Sequence, residues 1–205
     1  MKHEDGILKN KIKYTGLEEN RSGDAAVATQ GFGRVSDQQP EKFAPHQREE
    51  IVRFFRREGY AVVEGMFSPA ECEGLIEHMM DLHAGRTELE GFAPRVADEW
   101  GRTHNLHWHD EVMRNWLIDP RLEDPLRQCL GDEPEGIQSM YFWVGSEQGR
   151  HQDQFYLPGC ISAWIALADV DLQNGAIRVQ PGSHTRRLVV KEDLAEGGGF
   201  AGWDY

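Results

Sequence analysis

The sequence predicts an α+β domain in which helices pack on a β-sandwich or jelly roll. Three observations carry this. Between residues 46 and 130, apolar residues recur at spacings of three and four, bounded by capping signals. From Ile137 onward the period changes to two, and turn residues separate short apolar runs. Helices therefore come first and consecutive strands later, the order of an α+β layer architecture. No internal repeat competes with that reading.

The helical half can be justified element by element. Order is expected to start near Pro45, and residues 1–43 read as a flexible N-terminal arm ahead of a domain over 44–205. The stretch 23–39 is small, polar and aperiodic, so it cannot bury enough apolar surface to offset its ordering entropy. Over 46–58, Ile51, Phe54 and Phe55 share one helical face, and Gly59 stands as the C-terminal cap. Residues 60–63 read as a short strand. Ser68-Pro69-Ala70-Glu71 is a capping box with proline in the first turn. The helix behind it presents Cys72, Leu75, Ile76, Met79 and Met80 to the core and ends at Gly85. Residues 86–104 have no period and are expected to be loop. Asp110 reads as the N-cap of a stretch through Trp116 and Leu117. Asp119-Pro120 starts another helix, with Leu126, Cys129 and Leu130 facing in and Gly131 ending it.

The strand half follows. Residues 137–144 form an aromatic-rich strand, and 151–156 a short one. Residues 160–168 form an apolar run of the kind buried on both faces. Asn174-Gly175 is a turn, and 177–179 and 188–190 flank Pro181-Gly182 as strands.

Composition limits the partners. A net charge of −13 opposes binding to nucleic acid or an anionic membrane, because phosphate surfaces repel it. A small-molecule partner fits better. No apolar run approaches the ~20 residues of a membrane span, and no secretory signal is visible. Cys72, Cys129 and Cys160 are odd in number and widely spaced, with no zinc-knuckle pattern. They read as reduced thiols, which fits a cytoplasmic location.

His151 and Asp153 carry the chemistry. On a strand, residues two apart point to the same face, so both can reach one metal ion. An imidazole with a carboxylate suits iron(II), zinc or manganese. A third ligand must come from elsewhere. His104, His107 and His109 cluster beside Asp110, but they match only the start of a binuclear metallohydrolase pattern, and N-capping is the preferred role for Asp110.

Taken in order, His151-Gln152-Asp153-Gln154-Phe155-Tyr156, Ala163-Trp164-Ile165-Ala166-Leu167, Asn174-Gly175-Ala176 and Pro181-Gly182-Ser183-His184 resemble the phytanoyl-CoA dioxygenase family. The resemblance covers residues 45–190 and includes Gly59-Tyr60 and the capped helix. It implies a double-stranded β-helix of jelly-roll, cupin-like form with N-terminal helices packed on it, and iron(II) and 2-oxoglutarate as cofactors. It also implies hydroxylation of a small organic substrate, with succinate and CO2 as co-products. His151 and Asp153 match the first two metal ligands. Trp164 and Met140 match positions near the cosubstrate, and Gln138 is expected to face the same pocket. Trp164 and Met140 would also serve as ordinary core residues. The carboxylate of Asp153 favours hydroxylation, since halogenating relatives replace it.

The resemblance also implies a distal histidine and a cosubstrate-binding arginine some tens of residues beyond the Pro-Gly-Ser-His segment. No histidine follows His184 and no arginine follows Arg187. The closing strands are therefore expected to be missing and the barrel incomplete. Truncation of a longer enzyme is the favoured explanation. A shortened relative using His184, His104, His107 or His109 as substitute ligand is the second. Loss of the chemistry is the third, which leaves a vestigial, non-catalytic β-sandwich binding module as the alternative function. Open sheet edges would favour self-association.

Overall fold

Local signals and tertiary pairing each account for part of the architecture. The computed structural model describes residues 9–10, 40–92, 101–143, 151–155, 157, 159–171 and 173–188. In chain order the elements are strands β1 (Lys9–Asn10) and β2 (Lys42–Phe43), helix α1 (Arg48–Glu58), strand β3 (Val62–Val63), helix α2 (Pro69–His83), strand β4 (Arg102–His104), helices α3 (Glu111–Leu117) and α4 (Pro120–Leu130), and strand β5 (Met140–Phe142). The residues fall into two compact units. The first gathers β1, the stretch from Gly65 through β5, and Ala163–Ala176. The second gathers β2, α1, β3, His151 to Ser162, and the residues from Ile177.

In the first unit, α2 begins as the sequence predicts. The Glu71 amide donates to Ser68 Oγ at 3.3 Å, and Ser68 N–H donates to Glu71 Oε2 at 2.8 Å. This reciprocal cap satisfies two amides the helix cannot bond internally. Arg121 reaches across to the same carboxylate, with Nη2 2.8 Å from Glu71 Oε1, and holds the Glu71 carboxyl down at about 2. The buried face of α2 is Cys72, Leu75, Met79 and Leu82, one residue per turn of the helix. It packs with Leu106, Met113, Tyr141, Trp143 and Leu167 into one apolar core. Burial of each large aliphatic side chain there stabilises by about 1.5–3 kcal/mol. Met80, expected in this face, is 40 % exposed. It lies one position past Met79, about 100° round the helix, and the core is already filled.

β5 is the centre of a three-stranded antiparallel sheet in the order β1-β5-β4. Residues 102–104, expected to be loop, form β4 by pairing Arg102, Thr103 and His104 with Phe142, Tyr141 and Met140. The Trp143 indole N–H donates to Thr103 Oγ1 at 2.8 Å and ties the two strands at the buried end. Asp110 caps α3 as predicted, accepting from the Val112 and Met113 amides. On α4 the buried positions are Leu122 and Pro125, whereas Leu126, Cys129 and Leu130 are half-buried. The buried residues share the expected face with Leu126 and Cys129 but centre it on Leu122 and Pro125.

In the second unit, α1 buries Ile51, Val52, Phe54 and Phe55. Gly59 ends it at φ +83°, a left-handed conformation glycine adopts without penalty, with its N–H donating to Phe55 O. β2 and β3 pair in parallel, Lys42 with Val62 and Phe43 with Val63, and Phe43 packs edge-on against Phe54. Of the arm expected over 1–43, residues 1–8 and 11–39 lie outside the described residues, while Lys9–Asn10 pairs with β5.

The later strands differ most from expectation. Among the described residues, 137–139 and 160–168 carry no strand, and neither do 177–179. Residues 153–155 form a 3-10 turn rather than a strand. Val144, Tyr156, Val189 and Val190 lie outside the described residues. The described residues thus show helices and small sheets, and no closed barrel. Apolar runs become strands only when a partner supplies the ladder, and the described residues assign none to these runs.

Candidate functional site

His151 and Asp153 come together in the second unit. His151 is buried at 3 % exposure, and its Nε2 lies 3.1 Å from Asp153 Oδ1. The expected reason was strand alternation. The actual one is a turn: Asp153 opens the 3-10 segment Asp153–Phe155, and the Leu157 amide donates to Asp153 O at 3.0 Å. The turn folds the carboxylate back toward the imidazole.

The second carboxylate oxygen has its own partner. Ser162 Oγ–H donates to Asp153 Oδ2 at 3.0 Å. This hydrogen bond leaves Oδ1 as the oxygen directed at His151. Sequence reasoning did not find Ser162, because nothing in the run 160–168 separates a serine that serves a carboxylate from one that faces solvent.

The donor set suits a divalent transition-metal ion. Nitrogen and oxygen ligands sit about 2.0–2.2 Å from such an ion, so two adjacent ligands at right angles are about 3 Å apart. The separation of His151 Nε2 and Asp153 Oδ1 is that of a cis pair. Ser162 supplies the orienting hydrogen bond that ligating carboxylates require. Among the described residues no group of three or more histidine, cysteine, aspartate or glutamate side chains converges.

Other described histidines are engaged elsewhere. His107 is buried in the first unit, with Nδ1 2.7 Å from Ser139 Oγ. Burial, aided by the Arg114 charge, pushes the His107 pKa below the usual histidine value. His78 Nε2–H donates to Asp110 Oδ2 at 2.7 Å, and His109 Nδ1 is 3.2 Å from the Glu90 carbonyl. The run from His104 to Asp110 thus forms no cluster around one point. His184 Nε2–H donates to the Arg56 carbonyl at 3.0 Å.

Trp164, Met140 and Gln138 belong to the first unit. Met140 opens β5 and is half-buried, Trp164 is half-buried, and Gln138 is exposed just ahead of the strand. Met140 lines a small apolar cavity with Met113, Trp116, Leu117, Ser139 and Ile165.

Comparison with known proteins adds the family. The family described as phytanoyl-CoA dioxygenase (PhyH) matches over residues 55–200, most of the chain. The chain belongs to the phytanoyl-CoA dioxygenase family. The phytanoyl-CoA dioxygenase domain-containing protein 1 of Mus musculus is 34 % identical over 212 residues, covering 75 % of this chain and 72 % of that protein. The protein of the same name from Danio rerio is 26 % identical, covering 67 % of each chain. An ectoine dioxygenase of Sphingopyxis alaskensis is 28 % identical, covering 66 % of this chain and 49 % of its own length. No solved structure gives a significant match. Both His151 and Asp153 fall inside the matched region. Family membership places the chain among dioxygenases of the iron and 2-oxoglutarate type in general. Among the described residues, no helix is long and apolar enough to cross a membrane.

Proposed function

We propose that this chain is an iron(II)- and 2-oxoglutarate-dependent dioxygenase that hydroxylates a small organic substrate, releasing succinate and CO2, on a double-stranded β-helix. The observation that carries this reading is the 3.1 Å approach of His151 Nε2 to Asp153 Oδ1, inside a region matching a dioxygenase family. His151 and Asp153 would hold iron(II). When bound, the metal with 2-oxoglutarate supplies the oxidising power for hydroxylation.

The chain's own residues prepare the site. Burial of His151 excludes water from the imidazole. Ser162 turns Asp153 so that one oxygen faces the metal position. The single carboxylate offsets part of the metal's charge without closing the open coordination positions the cosubstrate needs. We assign Trp164, Met140 and Gln138 to the cosubstrate pocket on the family resemblance. The net charge of −13 favours a small-molecule partner over nucleic acid or an anionic membrane, and the odd, widely spaced cysteines fit a cytoplasmic setting.

The test is an anaerobic titration of the full chain with iron(II) and 2-oxoglutarate, following the visible charge-transfer band of the chelate. The expected result is a band in the parent that Asp153→Ala abolishes. Absence of the band in the parent, with equilibrium dialysis also showing no iron retained, would overturn the assignment for this chain. It would leave a non-catalytic binding module in its place.

A further inference from the structure

The last turn of any α-helix leaves four carbonyls without an intrahelical partner. In α1 these are Phe55, Arg56, Arg57 and Glu58. A simple left-handed cap closes one, and here the Gly59 amide donates to Phe55 O at 2.7 Å. Two more are closed by a segment far along the chain. The Gly182 amide donates to Glu58 O at 2.7 Å. His184 Nε2–H donates to Arg56 O at 3.0 Å, across 128 residues of sequence. Both donors belong to one turn, whose 3-10 segment is Ser183–Thr185 with Gly182 at its N-cap.

The imidazole also has a seat. A Cβ placed on Gly59 would stand 2.4 Å from His184 Nδ1 and 2.7 Å from Cγ. Real contacts are essentially never under 3.0 Å, so the ring packs against a backbone that must lack a side chain. Gly59 is therefore required twice, once for its φ of +83° and once for the volume of the ring. The first requirement is local. The second exists only because His184 is there.

We propose that His184 is a positioning residue that caps helix α1 at long range, pinning the Pro181 to Thr185 turn to the helix end with Gly59 as its seat. The carbonyl of Arg56 accepts only from a protonated nitrogen, so the imidazole is held with its proton on Nε2. That nitrogen is then unavailable to a metal. This inference goes beyond the dioxygenase reading and does not depend on it, since the clamp is complete without metal or cosubstrate.

A double-mutant cycle tests it on the full chain. Gly59→Ala is expected to lower the unfolding midpoint in the parent, and to lower it by a clearly smaller amount in a His184→Ala background, where the two tightest contacts are gone. His184→Gln, which keeps an N–H donor, is expected to recover part of the shift caused by His184→Ala. Imidazole nitrogen NMR of the unmutated chain provides a readout that needs no variant to fold. It should show His184 with a proton on Nε2 in the metal-free protein. Equal shifts for Gly59→Ala in both backgrounds would overturn the proposal. So would a His184 spectrum showing no proton on Nε2.

Discussion

Two buried histidines, one in each unit, show how different partners make different sites from the same side chain. His107 and His151 are nearly equally shielded, at 6 % and 3 % exposure. His107 meets the neutral Ser139 hydroxyl, and burial, aided by the Arg114 charge, holds the imidazole toward its uncharged form. His151 meets the Asp153 carboxylate, whose other oxygen is held by Ser162. A hydroxyl and an imidazole complete each other and need nothing more. His151 Nε2 and Asp153 Oδ1, 3.1 Å apart, have the spacing of two adjacent ligands on a divalent cation. Similar burial therefore accompanies two different surroundings, a hydroxyl for His107 and a carboxylate for His151.

The sharpest way to break this comparison is to exchange the partners' fates. His151→Ala or Asp153→Ala is expected to abolish iron binding, a loss of more than about 100-fold in affinity. His107→Ala should leave iron binding intact while costing about 1–3 kcal/mol of stability, because Ser139 would be left buried and unpaired. Iron retention by dialysis, read beside chemical denaturation, separates the two. Loss of iron in His107→Ala, in protein that remains folded, would erase the distinction between the sites.

Ser162→Ala comes next. Removal of an orienting partner of a metal ligand lowers affinity by about 10–100-fold. The same titration should show that range, with the chelate band shifted or weakened rather than lost.

The pH dependence of stability sharpens the His107 side. Its pKa is lowered in the folded chain, so between the unfolded value near 6.5 and the folded value the unfolded state binds more protons. Stability is fully present above about pH 6.5 and falls as the pH drops toward the folded pKa. His107→Gln should flatten that limb, as followed by unfolding midpoints in a series of buffers. Persistence of the acid limb unchanged in His107→Gln would refute the assignment to His107.

The smallest effect is expected at Tyr141. It is completely buried, its hydroxyl meets no hydrogen-bond partner among the described residues, and burial pushes its pKa up. Tyr141→Phe removes a polar group that gains nothing from burial. The expected change is neutral to stabilising, within about 1 kcal/mol.

Legibility in the sequence varied with the range of the interaction. The Ser68 to Glu71 box, the Asp110 cap, the buried face of α1 and the Gly59 terminus were all readable. Each depends on residues within a few positions of one another, where backbone geometry leaves few choices. The pairing of His151 with Asp153 was readable as a pair, although a turn, not a strand, brings them together. The strand assignments after residue 143 were the weakest. An apolar run has the same pattern whether or not a neighbouring strand completes its hydrogen bonds.

By itself, then, the sequence determined the capped starts of α2 and α3, the Gly59 end of α1, most of the buried face of α1 and part of that of α2, and the adjacency of an imidazole to a carboxylate. Only the tertiary structure decided that Thr103 and Trp143 close one sheet, that Ser162 turns Asp153, and that His184 sits on Gly59. The physical reason is separation along the chain. Local geometry restricts neighbours through the backbone, whereas distant groups meet only after the chain has packed, and no local pattern marks which will meet.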